Sequence, residues 1–133
     1  MSVETAKAYF ERSDDPEASI EDIVDLFANN ATLKSPREGT FHGRDGVTEF
    51  YERNAEFFSE GAHQMTDYYQ DGNIVICEGT IEGQTTAGRE YEGIGLVDVM
   101  RFTEDNKISE LRVYLDYSGI LNELPEEVPD FRE

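Results

Sequence analysis

The stretch Ile94-Gly95-Leu96-Val97-Asp98-Val99-Met100-Arg101-Phe102 decides the fold. Side chains of a strand alternate between faces, so Ile94, Leu96, Asp98, Met100 and Phe102 share one side. That side is apolar except for the carboxylate in its middle. Asp98 then has two readings. Either the strand is shallow and the acid reaches water, or it sits in an apolar pocket with a raised pKa and can donate a proton.

Outward from this strand the chain alternates in character. Val3, Ala6, Tyr9 and Phe10 recur at helical spacing, and the first helix is expected to stop near Ser13-Asp14-Asp15-Pro16. Ser19 with Asp22 three residues on forms an approximate capping box for a second helix, striped by Ile20, Ile23, Val24 and Phe27. A short strand over 31–35 ends at Pro36. A third helix, capped at Asp45, carries Val47, Phe50, Tyr51, Phe57 and Phe58 and is expected to stop at Gly61. From there the pattern is strands over 63–70, 73–82, 90–102 and 107–117, with hairpin turns at Asp71-Gly72, 83–88 and 103–106. Helices followed by a run of antiparallel strands predict an α+β fold, a curved sheet wrapped over helices. In the last strand Leu111, Val113 and Leu115 share the face turned to the helices. Placing Leu111 beside Asp98 gives a four-residue hairpin loop and puts Asp98 on the inner face. One domain over 1–121 is expected, with 122–133 a loosely held acidic tail.

Composition narrows the partners. The 133 residues carry 30 acids against 11 Lys and Arg, a formal charge of −19. Nucleic acid and anionic membrane are therefore poor partners. Lysines are only Lys7, Lys34 and Lys107, whereas eight basic residues are arginine, and the acids are spread along the chain. A Lys-poor, acid-saturated surface over a well-patterned core points to a protein built for high salt, where self-repulsion is screened. The single cysteine, Cys77, lies in an apolar run and reads as a small buried hydrophobe. There is no signal-peptide core and no apolar stretch of membrane-spanning length, so the expected compartment is the cytoplasm. His42 belongs to the turn before the third helix, and His63 opens a strand near solvent. Two isolated histidines give no metal-ligand spacing, and neither metal nor cofactor is expected.

The order of elements, together with Phe41-His42-Gly43-Arg44, Phe50-Tyr51 and above all Val97-Asp98-Val99-Met100-Arg101-Phe102, resembles the cone-shaped NTF2-like superfamily, with its ketosteroid isomerases and SnoaL-like polyketide cyclases. The resemblance spans nearly the whole chain. In the isomerases a strand aspartic acid and a first-helix tyrosine donate hydrogen bonds to a substrate oxyanion. By position these are Asp98 and Tyr9 here, and Tyr51 is the tyrosine whose hydroxyl supports them. A further network tyrosine is replaced by Phe27. The general-base aspartate, which precedes the proline ending the first short strand, is replaced by Ser35. A serine hydroxyl cannot take a proton from carbon without a base of its own.

SnoaL-like cyclases are similar in carrying an acid/base aspartate late in the fold, which makes Asp116 the second candidate, although strand parity puts it on the outer face. The Asp-Arg-Asp set of limonene-epoxide-hydrolase-like members is absent, since Leu96 stands where its arginine would be. The resemblance implies an apolar pocket for a small hydrophobic carbonyl compound, lined by Phe27, Ser35, Tyr51, Met100, Leu111 and Val113. It also implies a homodimer joined through the outer sheet face. Isomerisation or cyclisation, non-catalytic binding, and a dimerisation module all remain open on the sequence.

Overall fold

The computed structural model describes residues 2–121. Helix α1 (Ser2–Asp14) and the short α2 (Ile20–Val24) precede strand β1 (Phe27–Ser35) and strand β2 (Gly39–His42). Helix α3 (Gly43–Phe57) leads directly into β3 (Phe58–Asp71), β4 (Ile74–Thr85), β5 (Glu90–Phe102) and β6 (Ile108–Leu115), and α4 (Ser118–Leu121) follows. The fold is α+β, as the pattern predicts. Six strands form one curved, unclosed sheet in the order β2-β1-β6-β5-β4-β3. Only β1 and β6 run parallel; every other neighbouring pair is antiparallel. The helices fill the concave side.

Curvature has a local cause on β4. A Cβ added to Gly79 would lie 2.3 Å from the Gln64 carbonyl oxygen, and one added to Gly83 equally close to that of Glu60. Strand β3 can fold over β4 only because these two positions carry no side chain. The register of β3 on β4 also shifts between Met65 and Asp67, which adds a bend.

The alternation on β5 is as read. Leu96, Asp98, Met100 and Phe102 are buried, and Asp98 is 2% exposed, so the shallow-strand reading is overturned. The inner faces of β1 and β6 supply Phe27, Ala31, Leu33, Leu111 and Val113 to the same core.

Four expectations are corrected. The second helix has its capping box, with the Ser19 hydroxyl accepting from the Asp22 amide and the Asp22 carboxylate from the Ser19 amide, but it stops at Val24. Phe27 opens β1 instead of extending the helical stripe, because the Leu26 carbonyl accepts from the amide of Ile108 and Phe27 pairs with it. The third helix begins at Gly43, with φ +71°, so Asp45 sits in its first turn, where a negative charge suits the helix dipole. It ends at Phe57, four residues before Gly61, since Phe58 pairs with Thr85.

The β5–β6 register is two residues from the expected one: Asp98 faces Val113 and Met100 faces Leu111. Two single-residue shifts add: the hairpin loop runs over five residues, 103–107, instead of four, and a bulge follows it. Arg101 pairs with Glu110 and Phe102 with Ile108, which leaves Ser109 as an extra residue, its hydroxyl donating to the Arg101 carbonyl at 3.1 Å. A shift of two preserves parity, so the face assignment survives. The proposed tail over 122–133 lies outside the described residues.

Candidate functional site

Between the concave sheet and the helices lies a cavity of about 370 Å³. It falls in the size range of small-molecule pockets, roughly 300–1,000 Å³. Its deep wall is apolar: Ile23, Phe50, Ile81, Leu96, Val113 and Leu115 contribute, with Tyr9 from α1, Tyr51 from α3 and Asp98 from β5. The first polar group to consider is Asp98. Its Oδ1 is buried without a hydrogen-bond partner among the described residues. Burial pushes its carboxyl up from 3.8 to about 7, and a positive charge on His63 acts in the other direction. Near neutral pH a large share of Asp98 is therefore a neutral acid, with an O–H to donate.

Tyr9 and Tyr51 share a hydrogen bond between their hydroxyls. Desolvation raises both phenols above the ordinary tyrosine value, so they stay protonated. When Tyr51 donates to Tyr9, the Tyr9 hydrogen is left for a group in the cavity. Tyr9 is fixed by edge-on contacts with Phe10 and Phe27 at centroid distances of 5.0 and 6.1 Å. Cys77 is paired with Asp98 across β4 and β5, and burial followed by the neighbouring carboxylate pushes its thiol up to about 12. A thiol so protonated is not a nucleophile.

The sequence-derived candidates divide. Tyr9, Tyr51, Asp98 and Val113 line the cavity. Phe27, Met100 and Leu111 are fully buried but lie behind its wall, where they support the lining. Ser35 is also buried and behind the wall, its hydroxyl 3.3 Å from that of Tyr117, which does line the cavity. A phenol held neutral by burial cannot activate that serine. Asp116 is not brought to this site. It is exposed, in an outer groove with Pro36 and Tyr114, and accepts from the Ser118 hydroxyl at 2.5 Å.

One pair escaped the sequence reading. His63, expected near solvent, is half-buried at the mouth of the cavity beside Asp14, and both line it. The two side chains are 24% and 27% exposed. His63 Nδ1 stands 2.6 Å from Asp14 Oδ1, and the His63 backbone amide donates to Asp14 Oδ2 at 2.9 Å. The Phe10 ring packs against the imidazole with centroids 5.0 Å apart. His42, by contrast, is exposed and outside the cavity. Among the described residues no group of His, Cys, Asp and Glu could hold a metal ion, and no helix is long and apolar enough to cross a membrane.

Known proteins share this architecture. A sequence model of the SnoaL-like domain matches residues 6–111. A protein of ketosteroid isomerase-like fold from Catenulispora acidiphila, solved with trimethylamine, superposes with a TM-score of 0.80 at 19% identity, over 98% of this chain and 100% of that one. TerC, co-crystallised with polyporic acid, gives 0.80 at 18% identity over 91% and 95% of the two chains. SalBIII, an epoxide hydrolase/cyclase-like enzyme in pyran ring formation in salinomycin, gives 0.72 at 23% identity over 89% and 92%. Identities this low establish the fold alone. No curated protein sequence is similar enough to count as a match.

Proposed function

The chain belongs to the SnoaL-like domain family, and from that premise we propose that it binds a small hydrophobic molecule bearing a carbonyl and polarises it through hydrogen bonds from Asp98 and Tyr9, toward isomerisation or cyclisation. The observation that carries this reading is the fully buried Asp98 carboxyl, unpartnered at Oδ1, on the wall of an apolar cavity that also holds the Tyr9–Tyr51 pair. Donors fixed in a water-poor site stabilise developing negative charge on oxygen without having to reorganise. Relatives of the same fold supply precedent: TerC was crystallised with polyporic acid, and SalBIII acts in ring formation.

A phenol mimics an oxyanion, so 2-naphthol tests the donor site. Its affinity should hold constant from pH 5 to about 6.5 and fall about tenfold by pH 8, because ionised Asp98 has no proton to donate. In Asp98→Asn that pH dependence should vanish. A carboxyl-carbon NMR titration placing Asp98 at or below the ordinary carboxylate range would end the proposal.

Ser35 at the family's base position favours a second reading, a binder without turnover. The outer face of the sheet presents exposed Tyr69, Ile76 and Tyr114, apolar groups whose presence supports a homodimer through that face. Sedimentation in multimolar KCl should give twice the chain mass, and a monomer there would remove the dimer.

A further inference from the structure

The donor half of a proton-transfer site is in place at Asp98 and Tyr9, whereas the position expected to hold the acceptor is a serine. We propose that His63, held by Asp14, is the proton acceptor of this cavity and removes a proton from the carbon beside the carbonyl that Asp98 and Tyr9 hold. This rests on the donor reading given under Proposed function and adds a base to it.

The cavity's other ionisable groups are poor acceptors. Tyr9, Tyr51, Tyr91 and Tyr117 are kept protonated by burial. Asp15 and Glu60 also line the cavity but are exposed, so packing does not hold either carboxylate against a ligand. Both oxygens of Asp14 already accept hydrogen bonds, from the imidazole and the amide of His63. That carboxylate also selects the tautomer. An acceptor facing Nδ1 places the proton there, so the lone pair of neutral His63 lies on Nε2. The two-point clamp on residue 63 and the Phe10 ring against the imidazole restrict its rotation.

Placement fits the task. His63 is on β3 and Asp98 on β5, with β4 between them, both facing the concave side. In the ladder His63 lies opposite Ile81 and then Ile94, four residues along β5 from Asp98. The two backbones are thus about 10 Å apart across the strands and about 13 Å along them, and the cavity that both side chains line has room for a ligand between base and acid.

The step balances. Nε2 takes the proton, the C–H electron pair becomes the C=C of an enolate, and the carbonyl π pair moves onto oxygen, where Asp98 and Tyr9 hold it. The imidazolium, paired with Asp14, returns the proton to the same carbon in simple exchange or to a more distant carbon of an enone in isomerisation. Nothing else is consumed. The substrate class is an enolisable hydrophobic ketone.

The probe is 2-tetralone in deuterium oxide, with α-proton exchange followed by NMR and 2-naphthol affinity measured on the same samples. The wild-type protein should accelerate exchange. His63→Gln should lower that rate by about 10²- to 10⁴-fold, the usual worth of a general base, and leave 2-naphthol affinity within about threefold. Asp14→Asn, a change at a positioning residue, should lower kcat by about ten- to a hundredfold with KM little moved, since the imidazole loses its tautomer restraint. Retained 2-naphthol binding certifies that each variant is folded. Wild-type exchange surviving in His63→Gln, or a wild-type protein that binds 2-naphthol but exchanges nothing, would overturn the base assignment and leave the donor reading standing. If the wild-type protein does not bind 2-naphthol, the donor reading fails first and this inference falls with it.

Discussion

Asp98 and Asp14 line one cavity, yet their surroundings oppose each other. Asp98 is 2% exposed with its Oδ1 unpartnered, while the Asp14 side chain is 27% exposed and accepts from both the imidazole and the amide of His63. The first is pushed toward its neutral form by desolvation. The second accepts two hydrogen bonds and keeps contact with water. On the function proposed above, the same residue type serves as a proton donor at one end of the cavity and as the anchor of a base at the other, separated by environment alone. Acid and base work in one pocket requires that kind of separation.

The largest effect that would break this contrast is on stability. Below about pH 3.8, Asp98 is protonated in the folded and unfolded chain alike. As pH rises from 3.8 to about 7, the unfolded chain releases this proton and the folded one retains it, so stability falls. Above about 7 the folded state holds a buried charge, and the deficit levels off at on the order of 4 kcal/mol. Asp98→Asn should match wild type in urea denaturation near pH 4 and exceed it by that order at pH 8. Parallel stability curves at the two pH values would mean that Asp98 is solvated, and the contrast with Asp14 would collapse. A buried acid that costs stability near neutral pH, its Oδ1 without a partner among the described residues, fits the stability–function trade-off expected of the proposed site.

Much of this could be read from the chain, and for identifiable reasons. Period-two alternation over Ile94 to Phe102 fixed which face Asp98 occupies, and a register error of two residues could not change it. The Ser109 bulge itself leaves no mark in composition, so the exact partner, Val113, was not legible. Phe27 fits a helical stripe as well as a strand start, and only its pairing with Ile108 decides between them. The Asp14–His63 pair spans 49 residues, and no local pattern encodes it. One signal was available. Asp14 and Asp15 sit at the C-terminal end of α1, where negative charge opposes the helix dipole, and an acid so placed calls for a partner elsewhere. His63 shares the concave face of β3 with Met65, which would have nominated it had the bulge near Thr66 been known.

Salt separates the two carboxylates by a smaller margin. The chain's net charge of −19 makes self-repulsion a general cost at low ionic strength, so the wild-type folding midpoint should rise between 0.1 M and multimolar KCl. Against that rising background the two substitutions should behave differently. Asp14→Asn removes the negative charge and one of the two acceptor oxygens that face His63, and should cost about 1 kcal/mol in low salt, the upper range for a pair in contact with water. Screening should shrink that cost in 2 M KCl. The gain from Asp98→Asn at pH 8 comes from desolvation in a site that ions do not enter, and should persist unchanged. An Asp98→Asn gain that also faded with salt would mean that the field of the surrounding acids, rather than burial, raises the Asp98 carboxyl. Its proton would then be a property of the low-salt protein, and the proposed donor site would weaken in concentrated salt.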